Sequence, residues 1–167
     1  MNLVVAKASI EERGIVAQLL QRCLLDYSTP GRAPNRKEGE FGYPWLELYW
    51  TSPRRHPYLL RFENQLAGFV FVRSKEEDEI GEWQWQIAEF FVLHALRGRK
   101  VGTTAARTIL RSRPGVWQVS YDSTRDEARN FWASVARSID PAAKPRPVTP
   151  GRERYLLVTR EANSLSS

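Results

Sequence analysis

The stretch EFFVLHALRGRKVG, Glu89 to Gly102, constrains this chain more than any other part of it. An apolar run, Phe90 to Leu93, breaks into a segment holding His94, Arg97, Arg99 and Lys100, with glycine at 98 and 102. The pattern predicts a buried strand that turns directly into a helix. A helix N-terminus offers N–H groups with no intrahelical partner and the positive end of the macrodipole. Glycine lets a ligand approach the backbone. Such a turn binds phosphate, and Arg97, Arg99 and Lys100 add cationic side chains around it. The same residues also fit a solvated basic turn whose glycines serve geometry alone.

The rest of the chain supplies the frame for that turn. Leu3 to Ala8 is β-branched and apolar and reads as a first strand. Ser9 and Glu12 have capping-box spacing, and Ile15, Val16, Leu19, Leu20, Cys23 and Leu24 follow at helical spacing as far as Asp26–Ser28. Arg32 to Glu40 is polar and predicts a loop. In FGYPWLELYW, Phe41 to Trp50, Pro44 opens a short helix with Trp45, Leu48 and Tyr49 on one face. Pro57–Phe62 and Leu66–Arg73 predict two strands joined by a turn at Glu63–Gln65, and the acidic run Lys75–Glu82 a solvated loop. Trp83–Leu93 predicts a long strand, Lys100–Arg111 a helix, Val116–Tyr121 a strand, and Arg125–Ser138 a helix presenting Ala128, Phe131, Trp132 and Val135. Pro141–Pro150, with four prolines, reads as a linker or long loop, and Tyr155–Thr159 as a last strand. Strands that first run as a hairpin and then cross over through helices give a mixed α/β (α+β) sheet.

Length and charge narrow the function classes. The 167 residues fit one domain, expected over 1–161, with a frayed serine-rich tail at 162–167. One cysteine leaves no disulfide framework or cysteine metal cluster, so no metal is expected and a cytoplasmic location is the default. Neither a signal-peptide pattern nor an apolar run of membrane-spanning length is found. The net charge of +6 favours anionic partners. Its basic residues concentrate between Arg97 and Arg113, and no RNA-binding or helix-turn-helix pattern accompanies them, which argues against nucleic acid.

Arg97-Gly98-Arg99-Lys100-Val101-Gly102 resembles the Arg/Gln-x-x-Gly-x-Gly/Ala signature of the GCN5-related N-acetyltransferase (GNAT) superfamily. The resemblance extends to Glu89–Val92, to Pro114–Val119, and to Ala128-Arg129-Asn130-Phe131-Trp132. Asp26–Ser28, Phe41–Trp50 and Leu66–Val72 are similar to one bacterial subgroup of acetyltransferases. The resemblance implies the GNAT fold: a mostly antiparallel central sheet flanked by helices, with a splayed fourth strand. It implies acetyl-CoA as co-substrate. Backbone groups of Phe90, Phe91 and Val92 would meet the pantetheine arm, and the turn from Arg97 through Gly98, Arg99, Lys100, Val101 and Gly102 to Thr103 the pyrophosphate. Three positions depart from the family pattern. Lys100 replaces a glycine and either crowds the phosphates or adds a charged contact. Arg125 replaces an asparagine that helps hold the cofactor arm. Trp132 replaces a tyrosine that protonates the leaving thiolate, and an indole N–H cannot do this. Another tyrosine or water would then be needed.

Acyl transfer to an amine requires a neutral amine, a polarised carbonyl and both held together. Glu89 is the one acid in the Trp83–Leu93 strand and is the candidate general base, the alternative being a structural pair with an arginine. The resemblance places the loop between the first two helices at the acceptor mouth. Tyr27, Tyr43 and Trp45 are the candidates for contact with the acceptor, and Asp26 either pairs with the amine or caps its helix. The expected activity is N-acetylation of a primary amine on a small molecule by direct attack in a ternary complex, by a monomer or homodimer. The competing classes are acetylation of protein or tRNA-linked amines and non-catalytic acyl-CoA binding.

Overall fold

The first element is β1, Leu3–Lys7, and the chain leaves it through a single 3-10 turn, Ile10–Glu12. The structure, a computed structural model, describes residues 2–27, 36–37 and 40–160. The Glu12 carboxylate accepts the Ser9 backbone N–H at 3.0 Å, as the capping spacing predicts, and α1 follows over Arg13–Tyr27. Val16, Leu19, Leu20 and Cys23 form its buried stripe. Arg36–Lys37 (β2) and Glu40–Phe41 (β3) pair as a short antiparallel ribbon where the polar composition predicts a loop. The other residues of that predicted loop, 32–35 and 38–39, lie outside the described residues, as do Ser28 and the tail at 161–167.

The aromatic segment folds differently from its sequence pattern. Its helix, α2, is one turn long, Leu48–Thr51, and only Tyr49 is buried, stacked on Phe71 with ring centroids 3.8 Å apart. Trp45 and Leu48 are exposed, so no common apolar face forms. The single-turn helix is too short for a repeat at helical spacing to act. Packing of Tyr49 against the sheet decides the geometry instead.

Seven strands build the main sheet in the order β1-β4-β5-β6-β7-β9-β8. The members are β4 (Arg55–Phe62), β5 (Gln65–Ser74), β6 (Trp85–Val92), β7 (Gly115–Asp122), β8 (Arg146–Thr149) and β9 (Arg152–Thr159). All neighbours are antiparallel except β6 and β7. The proline-rich segment expected as a linker thus supplies β8. The one proline within β8, Pro147, suits an edge strand, where a missing N–H donor is tolerated. The acidic loop is tethered: Glu79 accepts from Arg73 at 2.9 Å, and that guanidinium holds its carboxyl at about 2.

Helices α3 (Val101–Leu110) and α4 (Asp126–Ile139) cover one face of the sheet over a core containing Val70, Ile109, Trp117, Val135 and Leu157. Helix α1 and Tyr49 cover the other, over Phe69, Phe71 and Phe91. No helix among the described residues is long and apolar enough to cross a membrane.

Candidate active site

The site is set by where β6 leaves β7. Their parallel pairing covers only Trp85–Ile87 against Trp117–Val119, so Ala88–Val92 have no β7 partner. The same point carries a β-bulge: Phe71 opposes Glu89 and Val72 opposes Ile87, leaving Ala88 as the extra residue. Bulges bend a strand and re-aim its side chains. Under unbroken alternation Glu89 would share the face of Ile87, toward α3 and α4. Instead it points to the α1 side, where its carboxylate accepts the Tyr43 hydroxyl at 3.3 Å.

Between the free edge of β6, the end of α1 and the starts of α3 and α4 lies a cavity of about 790 Å³. One end is aromatic: Phe90 packs against Phe131 and Trp132, with centroids 5.5 and 5.4 Å apart. The other end is cationic and glycine-bearing, from Arg97 and Gly98 to Lys100, Gly102 and Thr103. The first bond of α3 runs from Thr104 N–H to Lys100 C=O, 3.1 Å, so the N–H groups of Val101, Gly102 and Thr103 precede any helical partner.

The two glycines act in different ways. Gly98 has φ +77° with open space around it, so its role is conformational. Gly102 is a matter of room: a Cβ there would sit 3.2 Å from the Phe131 ring and 3.7 Å from Val92, at the cavity wall. Lys100 answers the question its sequence position raises. It occupies the left-handed region at φ +63°, which explains why the signature favours glycine there.

The arginines divide their work. Arg97 donates through Nε to the Val92 carbonyl at 3.0 Å and through Nη2 to Asp26 at 2.6 Å. Arg125 donates to the Asp26 carbonyl at 2.8 Å, with its guanidinium 5.7 Å from the Tyr27 ring centre. Arg99 is not brought to the cavity: it lies over the Phe62 ring, 5.4 Å from its centre. Val101 is wholly buried and offers only its backbone.

Among the described residues, no cationic side chain lies within ion-pair distance of Glu89. Burial pushes its carboxyl up to about 7, against the pull of the Tyr43 hydrogen bond and the more distant Arg152. Tyr43 is thus joined to Glu89, and Trp45 packs edge-on against Tyr43 at 5.3 Å, half exposed. Tyr27 is elsewhere: it lines the cavity, and its hydroxyl donates to the Phe90 carbonyl at 2.9 Å. Asp26 lines the cavity, and its carboxylate accepts from Arg97.

Two contributors escaped sequence reading. Gly68 lets β5 approach β6, since a Cβ there would lie 2.0 Å from the Phe91 carbonyl oxygen. A glycine inside the otherwise bulky LAGFVFV was the available signal. Ala88 gave none. No group of three or more metal-ligating side chains occurs among the described residues.

A family model described as acetyltransferase (GNAT) family matches residues 15–134. No curated protein sequence matches the chain at a significant level. Solved structures do. An acetyltransferase from Thermus thermophilus superposes with TM-score 0.64 at 13% identity, over 95% of this chain and 97% of that one. The aminoglycoside acetyltransferase AAC(6')-Ib, solved with coenzyme A, gives 0.64 at 14% identity over 95% of both chains. The ribosomal-protein-S18-alanine N-acetyltransferase from Escherichia coli gives 0.60 at 9% identity, covering 98% of this chain and 96% of that one.

Proposed function

Since this chain belongs to the GNAT acetyltransferase family, we propose that it uses acetyl-CoA to acetylate a primary amine of a small molecule by direct attack in a ternary complex. One observation carries the reading. The cavity joins the cationic, glycine-bearing turn to an aromatic slot along the edge of β6 that β7 leaves, while Glu89 stands on the same strand, turned toward α1 and Tyr43. The residues suit a phosphorylated, elongated thioester. Backbone N–H groups of α3 with Arg97 and Lys100 would hold the pyrophosphate, and the room at Gly102 lets it reach them. The backbone of Phe90–Val92, without a β7 partner, would take the arm through groups other than the Phe90 and Val92 carbonyls, which Tyr27 and Arg97 hold. When bound, acetyl-CoA supplies the activated acyl carbonyl.

Glu89 takes the proton from the attacking amine. A carboxyl held near 7 is half ionised at neutral pH, where a base matched to its task is most effective. Tyr43 orients it, and Trp45 extends the aromatic surface around the amine. Aminoglycosides, substrates of one neighbour by its name, are small polyamines and fit this class.

Titration calorimetry with CoA tests the reading, run on the wild type and on Gly102→Glu, whose carboxylate would project at Phe131 and the phosphates. Binding in the wild type and none in a folded variant is the expected result. Equal binding by both would move the cofactor elsewhere. An amine panel with acetyl-CoA and a thiol reagent then identifies the acceptor.

A further inference from the structure

We propose that Tyr27, at the end of α1, is the proton donor to the departing thiolate, the role that Trp132 cannot fill. This rests on the acetyl-CoA reading above. Breaking a thioester C–S bond puts negative charge on sulfur, and a hydroxyl donor in a water-poor slot lowers that barrier. Among the described residues, two hydroxyl side chains line the cavity, Thr103 and Tyr27. Thr103 lies on the first turn of α3, at the phosphate end. Tyr27 lies over the aromatic half, with its hydroxyl 2.9 Å from the Phe90 carbonyl. The Phe90 ring in turn packs on Trp132, and Tyr27 and Trp132 line the same cavity.

Two departures from the family signature converge on this residue. Trp132 has no acidic O–H, and Arg125 replaces an asparagine. The Arg125 guanidinium lies over the Tyr27 ring and holds the Asp26 carbonyl, while Arg97 holds the Asp26 carboxylate. The last turn of α1 is thereby fixed against the floor of the cavity by two arginines. Tyr27 is 45% exposed, and its hydroxyl is bonded to the strand. Burial and the nearby Cys23 and Glu89 push that phenol well above its ordinary value, so it stays protonated at working pH.

The step balances. The amine nitrogen forms its bond to the acyl carbon and yields a proton to Glu89. The C–S bond breaks, and the sulfur takes the Tyr27 proton. Solvent takes the proton from Glu89 and returns one to Tyr27. The net change is one proton from nitrogen to sulfur. Glu89 precedes Phe90 in the chain, and Tyr27 bonds the Phe90 carbonyl.

The test needs no acceptor. The ionisation of the thiol of bound CoA is followed by thiolate absorbance against pH, in the wild type and in Tyr27→Phe. A donor to sulfur stabilises the thiolate, so the thiol of CoA on the wild type should ionise about tenfold more readily than on Tyr27→Phe, with CoA affinity within a few fold. Equal ionisation on both proteins would assign any shift to Arg97 and Arg125 and overturn the proposal. If the wild type fails to bind CoA at all, the acetyl-CoA reading falls and takes this one with it. Should Tyr27→Phe not fold, the wild type alone decides against it if bound and free CoA ionise alike.

Discussion

Arg97 and Asp26 form an ion pair at 2.6 Å that ties the end of α1 to the turn before α3. The signature arginine therefore meets an aspartate before it meets any phosphate. Both side chains are partly exposed, which keeps the contribution of the pair to stability below about 1 kcal/mol. Asp26→Asn should lower Tm by no more than about 2–4 °C. It removes a negative charge from the anion site, so CoA should bind a few fold more tightly at low salt, with the gain fading as salt screens it. Calorimetry at two ionic strengths checks this. Weaker binding would mean that the ion pair acts by positioning.

Lys100 carries backbone strain where glycine would carry none. A left-handed residue with a Cβ costs about 1–2 kcal/mol, and glycine returns about 0.4–1 of that as unfolded-state entropy. Lys100→Gly should then be about 0.5–1 kcal/mol more stable, a Tm rise of about 1–4 °C, and should bind CoA less tightly for want of the ammonium. Lys100→Ala keeps the strain and loses the charge, so it should weaken binding with no gain in Tm. Thermal melts beside CoA titrations separate the two effects.

Glu89 makes stability and activity diverge with pH. Its folded value of about 7 lies above the ordinary 4.5, so folding takes up a proton between those values. Stability falls as pH rises through that window and stays lower above it, by about 3 kcal/mol at most. His56 slopes the other way. Burial, then Arg113 and Lys7, hold it at about 4 against 6.5, so stability is lost as pH falls through that interval. Glu89→Gln should melt higher than the wild type at pH 8 and expose the His56 slope below 6.5. It should lose about 10²–10⁴ in rate, along with the acidic limb near pH 7. A variant that melts lower and turns over normally would remove Glu89 from the chemistry.

Gly68 should tolerate no side chain. An alanine Cβ would lie 2.0 Å from the Phe91 carbonyl oxygen, so β5 and β6 must part. Gly68→Ala should cost about 3 kcal/mol and weaken CoA binding through the displaced Phe90–Val92 backbone. Urea titration measures the first effect and calorimetry the second. Unchanged values for both would mean that the sheet absorbs the contact.

The strand-to-helix turn was legible because its parts are local: an apolar strand, two glycines and cations within fourteen residues. The α1 stripe and the capping pair at Ser9 and Glu12 were legible for the same reason. What escaped depends on register or on distance in sequence. Nothing near Ala88 marks a bulge, because its cause is the pairing of β6 with β5. Tyr27 reads as a candidate for acceptor contact, and the bond of its hydroxyl to the Phe90 carbonyl, 63 positions away, shows only in the folded chain. Asp26 and Arg125, 99 positions apart, meet only in the folded chain. The edge strand β8 was hidden by prolines that forbid a central strand and permit an outer one.

The bulge at Ala88 separates two properties that a strand ordinarily couples. With Ala88 removed, Glu89, Phe90 and Phe91 would keep their present faces, because alternation would simply resume after Ile87. What would go is the bend. A straight β6 could continue its ladder along β7 past Val119, and the strand edge at Phe90–Val92 that now borders the cavity would be taken up by the neighbouring strand. The aperture between the two strands is therefore maintained by a residue count. A methyl side chain with no reactive group keeps the slot from zipping shut, and shortening the strand by one residue would close it while leaving every chemical group in the chain intact.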